Sequence, residues 1–168
     1  INHYGNVKLC IENTIRTFNY QAHTKILIAR ISNPYGPGQD FNKGVGFIDA
    51  AIKKTIRSEK IEIWGDGNNV RDYIYIDDVC RMLISLFYYQ EDYDTFNISS
   101  NTGTSQRDVI RMLEAMQLAP QVEYLPARSV DAKKIILNNE RIMSIHAVPL
   151  VPVEQGIRKY YQWLKKEI

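Results

Sequence analysis

The order of apolar and polar positions predicts helices alternating with short strands. Near the start, Val7, Ile11, Ile15, Phe18 and Ala22 recur at helical spacing, the stripe of a core-facing helix. Residues 25–31 form a short, nearly continuous apolar run, which predicts a strand buried on both faces of a parallel sheet. It ends in Ser32-Asn33-Pro34-Tyr35-Gly36-Pro37-Gly38, a loop on its prolines and glycines. A helix bearing Val45, Ile48, Ile52 and Ile56 comes next, then a strand over 61–64. Gly65-Asp66-Gly67-Asn68-Asn69 is a turn rich in residues that tolerate φ > 0. The segment 71–76 alternates as a strand, with Arg71, Tyr73 and Tyr75 on one face.

Asp77 and Asp78 open the next helix, through Val79, Met82, Leu83 and Leu86, and read as caps and dipole partners. Thr95–Ile98 is a strand and 99–104 a polar turn. Ser105 and Asp108 resemble a capping box with Asp in place of Glu. They start a helix carrying Val109, Met112, Leu113 and Met116, the methionines as core filler. Gln121–Leu125 is a candidate strand. The last helix begins near Pro152, with a stripe of Val153, Ile157, Tyr160 or Tyr161, and Leu164.

At 168 residues, with 45% apolar and 24% charged positions, the chain has the size and make-up of one globular domain with a real core. A net charge of +2 makes no electrostatic case for nucleic acid. No apolar run approaches the roughly 20 residues of a membrane span. Cys10 and Cys80 match no zinc spacing and read as reduced and structural. His3, His23 and His146 are scattered, so no metal site is expected. Together these features predict a cytoplasmic protein.

The candidate chemistry begins with Tyr4 and Lys8, one helical turn apart. A free phenol, with a pKa of about 10, is a poor base at neutral pH. An ammonium one turn away favours the phenolate, and the phenol could then exchange a proton with a sugar hydroxyl. The spacing specifies little by itself: Tyr161 and Lys165 repeat it in an ordinary amphipathic helix. On topology, the loop after the first strand is a leading site candidate, because open α/β sheets bind ligands beyond the carboxyl ends of their strands. A plain strand-to-helix turn is the alternative.

Four motifs in one order carry a resemblance. They are Tyr4-x-x-x-Lys8 with Glu12 one turn on, and Arg30-Ile31-Ser32-Asn33-Pro34-Tyr35-Gly36-Pro37. The third runs from Ile63-Trp64-Gly65-Asp66-Gly67 through Arg71-Asp72-Tyr73-Ile74-Tyr75-Ile76-Asp77-Asp78-Val79. The fourth is Phe96-Asn97-Ile98 with the later Arg128-x-x-Asp131. The whole chain resembles the extended short-chain dehydrogenase/reductase superfamily, in its NAD-dependent epimerase/dehydratase family, and is most similar to UDP-glucose 4-epimerase-like members. The resemblance implies an α/β fold: the C-terminal part of a Rossmann-type parallel sheet plus a small mixed α/β substrate-binding domain. Residues 1–35 and about 70–98 would belong largely to the sheet, and about 36–69 and 99–168 to the substrate-binding part.

The resemblance also implies roles. Tyr4 would be the catalytic acid/base, and Lys8 would hold the nicotinamide ribose of NAD and lower the tyrosine pKa. Pro34 would lie near the nicotinamide, and Asn33 would touch the sugar nucleotide. Ile63 and Trp64 would sit at the uracil, Arg71 and Arg128 would grip the diphosphate, and Asp131 would bind the uridine ribose. Forked guanidinium pairing with a diphosphate suits that assignment. The bland alternatives are ion pairs, Arg71 with Asp72 or Glu62 and Arg128 with Asp131.

The resemblance is incomplete. No G-x-x-G-x-x-G turn for a dinucleotide pyrophosphate occurs in the chain, and the family's upstream serine or threonine has no counterpart. The expectation is the second half of an NAD-dependent UDP-sugar 4-epimerase, inactive alone and weak or silent toward NAD. A nucleotide-sugar 4,6-dehydratase or reductase is the runner-up, and a truncated binding-only module is a third reading. A homodimer through the first helix is expected by resemblance alone.

Overall fold

A computed structural model describes residues 3–39, 46–127 and 132–167. In chain order the elements are α1 (His3–Ala22), β1 (Ile28–Ile31), β2 (Asn33–Tyr35), α2 (Phe47–Ile56), β3 (Lys60–Trp64), β4 (Val70–Tyr75) and α3 (Ile76–Phe87). Then come β5 (Thr95–Ile98), β6 (Gly103–Ser105), α4 (Gln106–Ala115), β7 (Gln121–Leu125), β8 (Lys134–Ile135), α5 (Glu140–Met143) and α6 (Val153–Glu167).

The pairing is mostly parallel. β1 runs parallel to β5, with Ile28 opposite Thr95 and Ile31 opposite Ile98. β2 and β8 both run parallel to β4, which pairs antiparallel with β6. β3 and β7 form a separate parallel pair. This is the mixed α/β class with parallel sheets that the alternation of periods predicts.

Two cores follow from the layers. The larger packs α2, α4 and α6 against β3 and β4 through Ile48, Ile52, Ile63, Leu113, Ile157 and Tyr160. The smaller joins Val79, Met82 and Leu86 of α3 to Phe96 and Ile98 of β5 and to Ile142 of α5. On α6 the buried ring is Tyr160 rather than Tyr161. The capping box forms as predicted: Asp108 N donates to Ser105 Oγ at 3.0 Å, and Ser105 N donates to Asp108 Oδ2 at 3.0 Å.

The first helix departs from expectation. Val7, Ile11 and Phe18 are about half exposed, and Glu12 is the residue of α1 that is buried. The helix is fastened by polar contacts instead. Arg30 forks onto Glu12, Nε to Oε1 at 2.7 Å and Nη2 to Oε2 at 2.5 Å. Arg16 reaches Asp94 at 3.2 Å and Thr95 Oγ1 at 3.1 Å. The charge-assisted fork holds the Glu12 carboxyl below its ordinary range. A stripe of period 3.6 identifies an apolar face, but not what covers it.

Other differences are local. The loop expected over 32–38 opens with β2, whose Pro34 fits because β2 lies at the end of its sheet, where a missing N–H costs no ladder bond. The polar turn over 99–104 ends in β6, and β8 and α5 are elements the pattern did not signal. Asp77 and Asp78 stand in the first turn of α3, where they complement its dipole as expected, but no side-chain cap forms there. Asp78 is buried, pairs with Arg81 and accepts from Val151 N at 2.8 Å, so it anchors a distant segment. Cys10 and Cys80 are free and exposed, not packed. No described helix is long and apolar enough to cross a membrane, and no metal-holding cluster occurs among the described residues.

Candidate functional site

A cavity of about 220 Å³ opens where β2 and β4 meet the start of α2. Asn33, Pro34 and Tyr35 of β2 line one wall, and Trp64, Asn69, Arg71 and Tyr73 line another. Gly46 to Asp49, the first turn of α2, and Gln106 complete it.

Each side chain is there for a local reason. On β4, a period of two turns Arg71 and Tyr73 toward the same side. Tyr73 pairs in register with Asn33, which brings Asn33 alongside. Asn33 is then held by its amide, Nδ2 donating to Asp72 O at 2.9 Å. The Arg71 guanidinium donates through Nη1 to the carbonyls of Val70 at 2.9 Å and Ala132 at 2.7 Å. Neither alternative ion pair of Arg71 forms: Glu62 lies 4.0 Å from Lys54, and Asp72 accepts from backbone and hydroxyl donors. Among the described residues no carboxylate pairs with Arg71.

The opposite wall is the start of α2, whose first turn carries Asp49. α2 has Gly46 at its N-cap and no side-chain cap among the described residues, and because Gly46 to Asp49 line the cavity, the positive end of its dipole lies there. Asp49, Lys53 and Tyr160 form a buried group: Lys53 Nζ lies 2.9 Å and Tyr160 Oη 2.5 Å from the Asp49 carboxylate. Burial and the Asp49 hydrogen bond push the Tyr160 phenol far above its ordinary range. Tyr35 and Tyr73 are likewise raised by burial, Tyr73 to about 12. These phenols therefore stay neutral at neutral pH.

The structure thus brings together four of the residues singled out from sequence: Asn33, Pro34, Trp64 and Arg71. Ile63 is fully buried in the larger core rather than lining the cavity. Tyr4 and Lys8 stand on exposed α1, with Lys8 Nζ 5.3 Å from the Tyr4 ring centroid. Tyr4 is 72% exposed, and neither residue lines the cavity that holds Asn33 and Arg71. Arg128 and Asp131 lie outside the described residues.

Sequence reasoning missed the α2 N-terminus, Asn69 and Gln106. The Oε1 of Gln106 is buried without a hydrogen-bond partner among the described residues. A glycine ahead of an apolar stripe was the available signal for α2; Asn69 and Gln106 carried none.

The cavity lies beside parallel strands of an α/β fold, the place where such sheets receive ligands. The model of the NAD dependent epimerase/dehydratase family matches residues 1–99, and the chain belongs to that family. A dTDP-L-rhamnose 4-epimerase of Burkholderia thailandensis is 30% identical over 169 residues, covering 98% of this chain and 47% of the relative. A dTDP-4-dehydro-6-deoxyglucose reductase of Escherichia coli is 30% identical over 158 residues, covering 93% and 50%. The crystal structure of a UDP-glucose 4-epimerase with UDP-glucose from Thermotoga maritima superposes with a TM-score of 0.90 at 28% identity, covering 99% of this chain and 54% of that one. The chain spans about half the length of the curated relatives it matches.

Proposed function

We propose that this chain supplies the sugar-nucleotide site of an NAD-dependent nucleotide-sugar epimerase of the UDP-glucose 4-epimerase type. The observation that carries the reading is the cavity lined by both Arg71 and the start of α2, which has no side-chain cap among the described residues. Those two positive features suit a diphosphate, and a guanidinium with no carboxylate partner among the described residues offers its charge to it. Trp64 offers a flat apolar wall for a pyrimidine, and Asn33 a fixed amide for sugar or phosphate oxygens. Residues 1–35 and about 70–98 are then the sheet portion, and about 36–69 and 99–168 the substrate portion.

NAD, when bound, supplies hydride transfer at the sugar carbon. The residues present suit only one end of it. Tyr4 and Lys8 present a phenol and an ammonium on one helix face, apt for a ribose and a proton transfer. The sequence holds no glycine-rich pyrophosphate turn. Tyr4 is assigned the acid/base role at the sugar hydroxyl and Lys8 the ribose contact, with Pro34 beside the nicotinamide. The apolar face of α1 is assigned to a second copy of the chain.

A reductase of the same family is the second reading, favoured by the identity with the Escherichia coli relative. Calorimetric titration of the 168-residue chain tests the site. UDP and UDP-glucose should bind, NAD should not bind in the micromolar range, and the chain alone should not interconvert UDP-glucose and UDP-galactose. Arg71→Ala should weaken UDP by about tenfold or more, the size of a lost charge-assisted bond. A folded chain indifferent to UDP, or an R71A variant that binds it equally well, would refute the site.

A further inference from the structure

We propose that the Asp72 carboxylate is the positioning residue of this cavity, holding Arg71 and Asn33 in one frame. Its consequence for ligand binding rests on the nucleotide reading above; its geometry does not.

Asp72 sits between Arg71 and Tyr73 on β4, so its side chain points away from the face they share. It is fully buried. A buried carboxylate is costly unless its oxygens are filled, and these are. Oδ1 accepts from Ser100 N at 2.9 Å, Ser100 Oγ at 2.8 Å and, more weakly, Ser32 Oγ at 3.4 Å. Oδ2 accepts from Asn101 N at 3.1 Å and Leu137 N at 3.2 Å. Among the described residues no cation pairs with it, and its hydrogen-bond donors are backbone N–H groups and hydroxyls.

The donors come from three separate stretches, and each leads back to the cavity. Ser32 is the residue between β1 and β2, next to Asn33, whose amide is fixed by the Asp72 backbone carbonyl at 2.9 Å. Ser100 and Asn101 form the turn after β5, and Ser32 N donates to Ile98 O at 3.0 Å, joining β1 to β5 at the same point. Leu137 follows β8, which is registered on β4 with Ile135 opposite Arg71. Just before β8 lies Ala132, whose carbonyl receives the Arg71 guanidinium at 2.7 Å. One carboxylate therefore fastens the β1–β5 pair to the sheet that carries Arg71. It also fastens the segment against which the Arg71 guanidinium rests.

Asp78 provides the comparison. It too is a fully buried carboxylate, accepting from Val151 N and pairing with Arg81, but neither Asp78 nor either partner is a chain neighbour of a residue that lines the cavity, as Asp72 and Ser32 are. Asp72→Asn keeps the shape and, whichever way the amide turns, sets its NH2 against at least one backbone N–H donor. The test is ¹⁵N NMR of the full 168-residue chain with a UDP titration, on D72N, D78N and R71A. Both Asp variants should lower the melting temperature. Only D72N should move the Arg71 Nε–Hε and Asn33 side-chain resonances and weaken UDP about tenfold. In the R71A background D72N should add less than about twofold, since it acts through Arg71.

Unmoved Arg71 and Asn33 resonances in D72N, or a UDP affinity equal to that of D78N, would overturn the proposal. If D72N does not fold, Ser100→Ala removes the 2.8 Å hydroxyl bond alone; the same resonances should move, and their staying put overturns it. If the unsubstituted chain does not bind UDP, the nucleotide reading falls while the resonances still decide the role of Asp72.

Discussion

Gly156, which closes the first turn of α6, is the most demanding glycine position near the site. A Cβ there would sit 2.1 Å from Tyr35 Oη, 2.9 Å from Tyr35 Cζ and 3.1 Å from Tyr75 Cδ2. On an open helix, Gly→Ala gains about 1 kcal/mol. Here the Tyr35 ring must retreat, and it has little room: it is buried and packed edge-on against Tyr73 and Tyr75. Its hydroxyl also donates to Val153 O at 3.1 Å. Overpacking costs about 1–3 kcal/mol and the lost buried hydrogen bond about 1. After the helix gain, G156A should lose about 1–3 kcal/mol, a fall in melting temperature of about 3–10 °C for a chain of this size. Because Tyr35 also lines the cavity, UDP affinity should fall with it. The assay is thermal unfolding by circular dichroism in a cycle with Tyr35→Phe. Without the Oη the nearest clash is gone, so G156A should cost about 1 kcal/mol less in the Y35F background. A melting temperature that is unchanged or raised, or strictly additive effects, would refute the close approach.

Two further outcomes are expected. The folded pKa of Glu12 is lowered, mainly by the Arg30 fork. Its stabilisation is therefore fully present above the unfolded value, about 4.5, and is lost as pH falls through the folded one. Unfolding curves of the parent chain and Glu12→Gln should differ near pH 7 and converge as pH falls through the lowered folded value; a gap independent of pH would show that the fork does not depend on charge. Ile11→Glu places a charge on the half-exposed stripe of α1. If that face meets a second copy, sedimentation should show a dimer of the parent chain dissociating in I11E; identical profiles would remove α1 from the interface.

Much of the fold was legible because each element repeats its own period. The stripes of α2, α4 and α6 and the alternation in β4 each mark a face that is buried within this chain. The stripe of α1 is as regular, yet its residues stay half exposed. Periodicity reports that a face is apolar; it is silent on whether the partner lies in the same chain. The short strands β2, β6 and β8 were hidden for the opposite reason. Two or three residues are too few for a period, and their pairing is dictated by register on β4.

The site divides along the same line. Asn33, Pro34, Trp64 and Arg71 were readable because they stand in stretches with a recognisable order. Asp72 was readable as a residue but not as a role, since an Arg-Asp neighbour pair suggests an ion pair. In the fold the strand's alternation sends the two side chains to opposite faces. The carboxylate then has to be filled by donors gathered from Ser32, Ser100, Asn101 and Leu137, positions up to 65 apart in sequence from it. Sequence order carries no distance information at that range. That alternation leaves Arg71 without a carboxylate partner among the described residues, on the face toward the start of α2. The charge available for a ligand and the buried charge that orders the frame thus follow from the same alternation along β4.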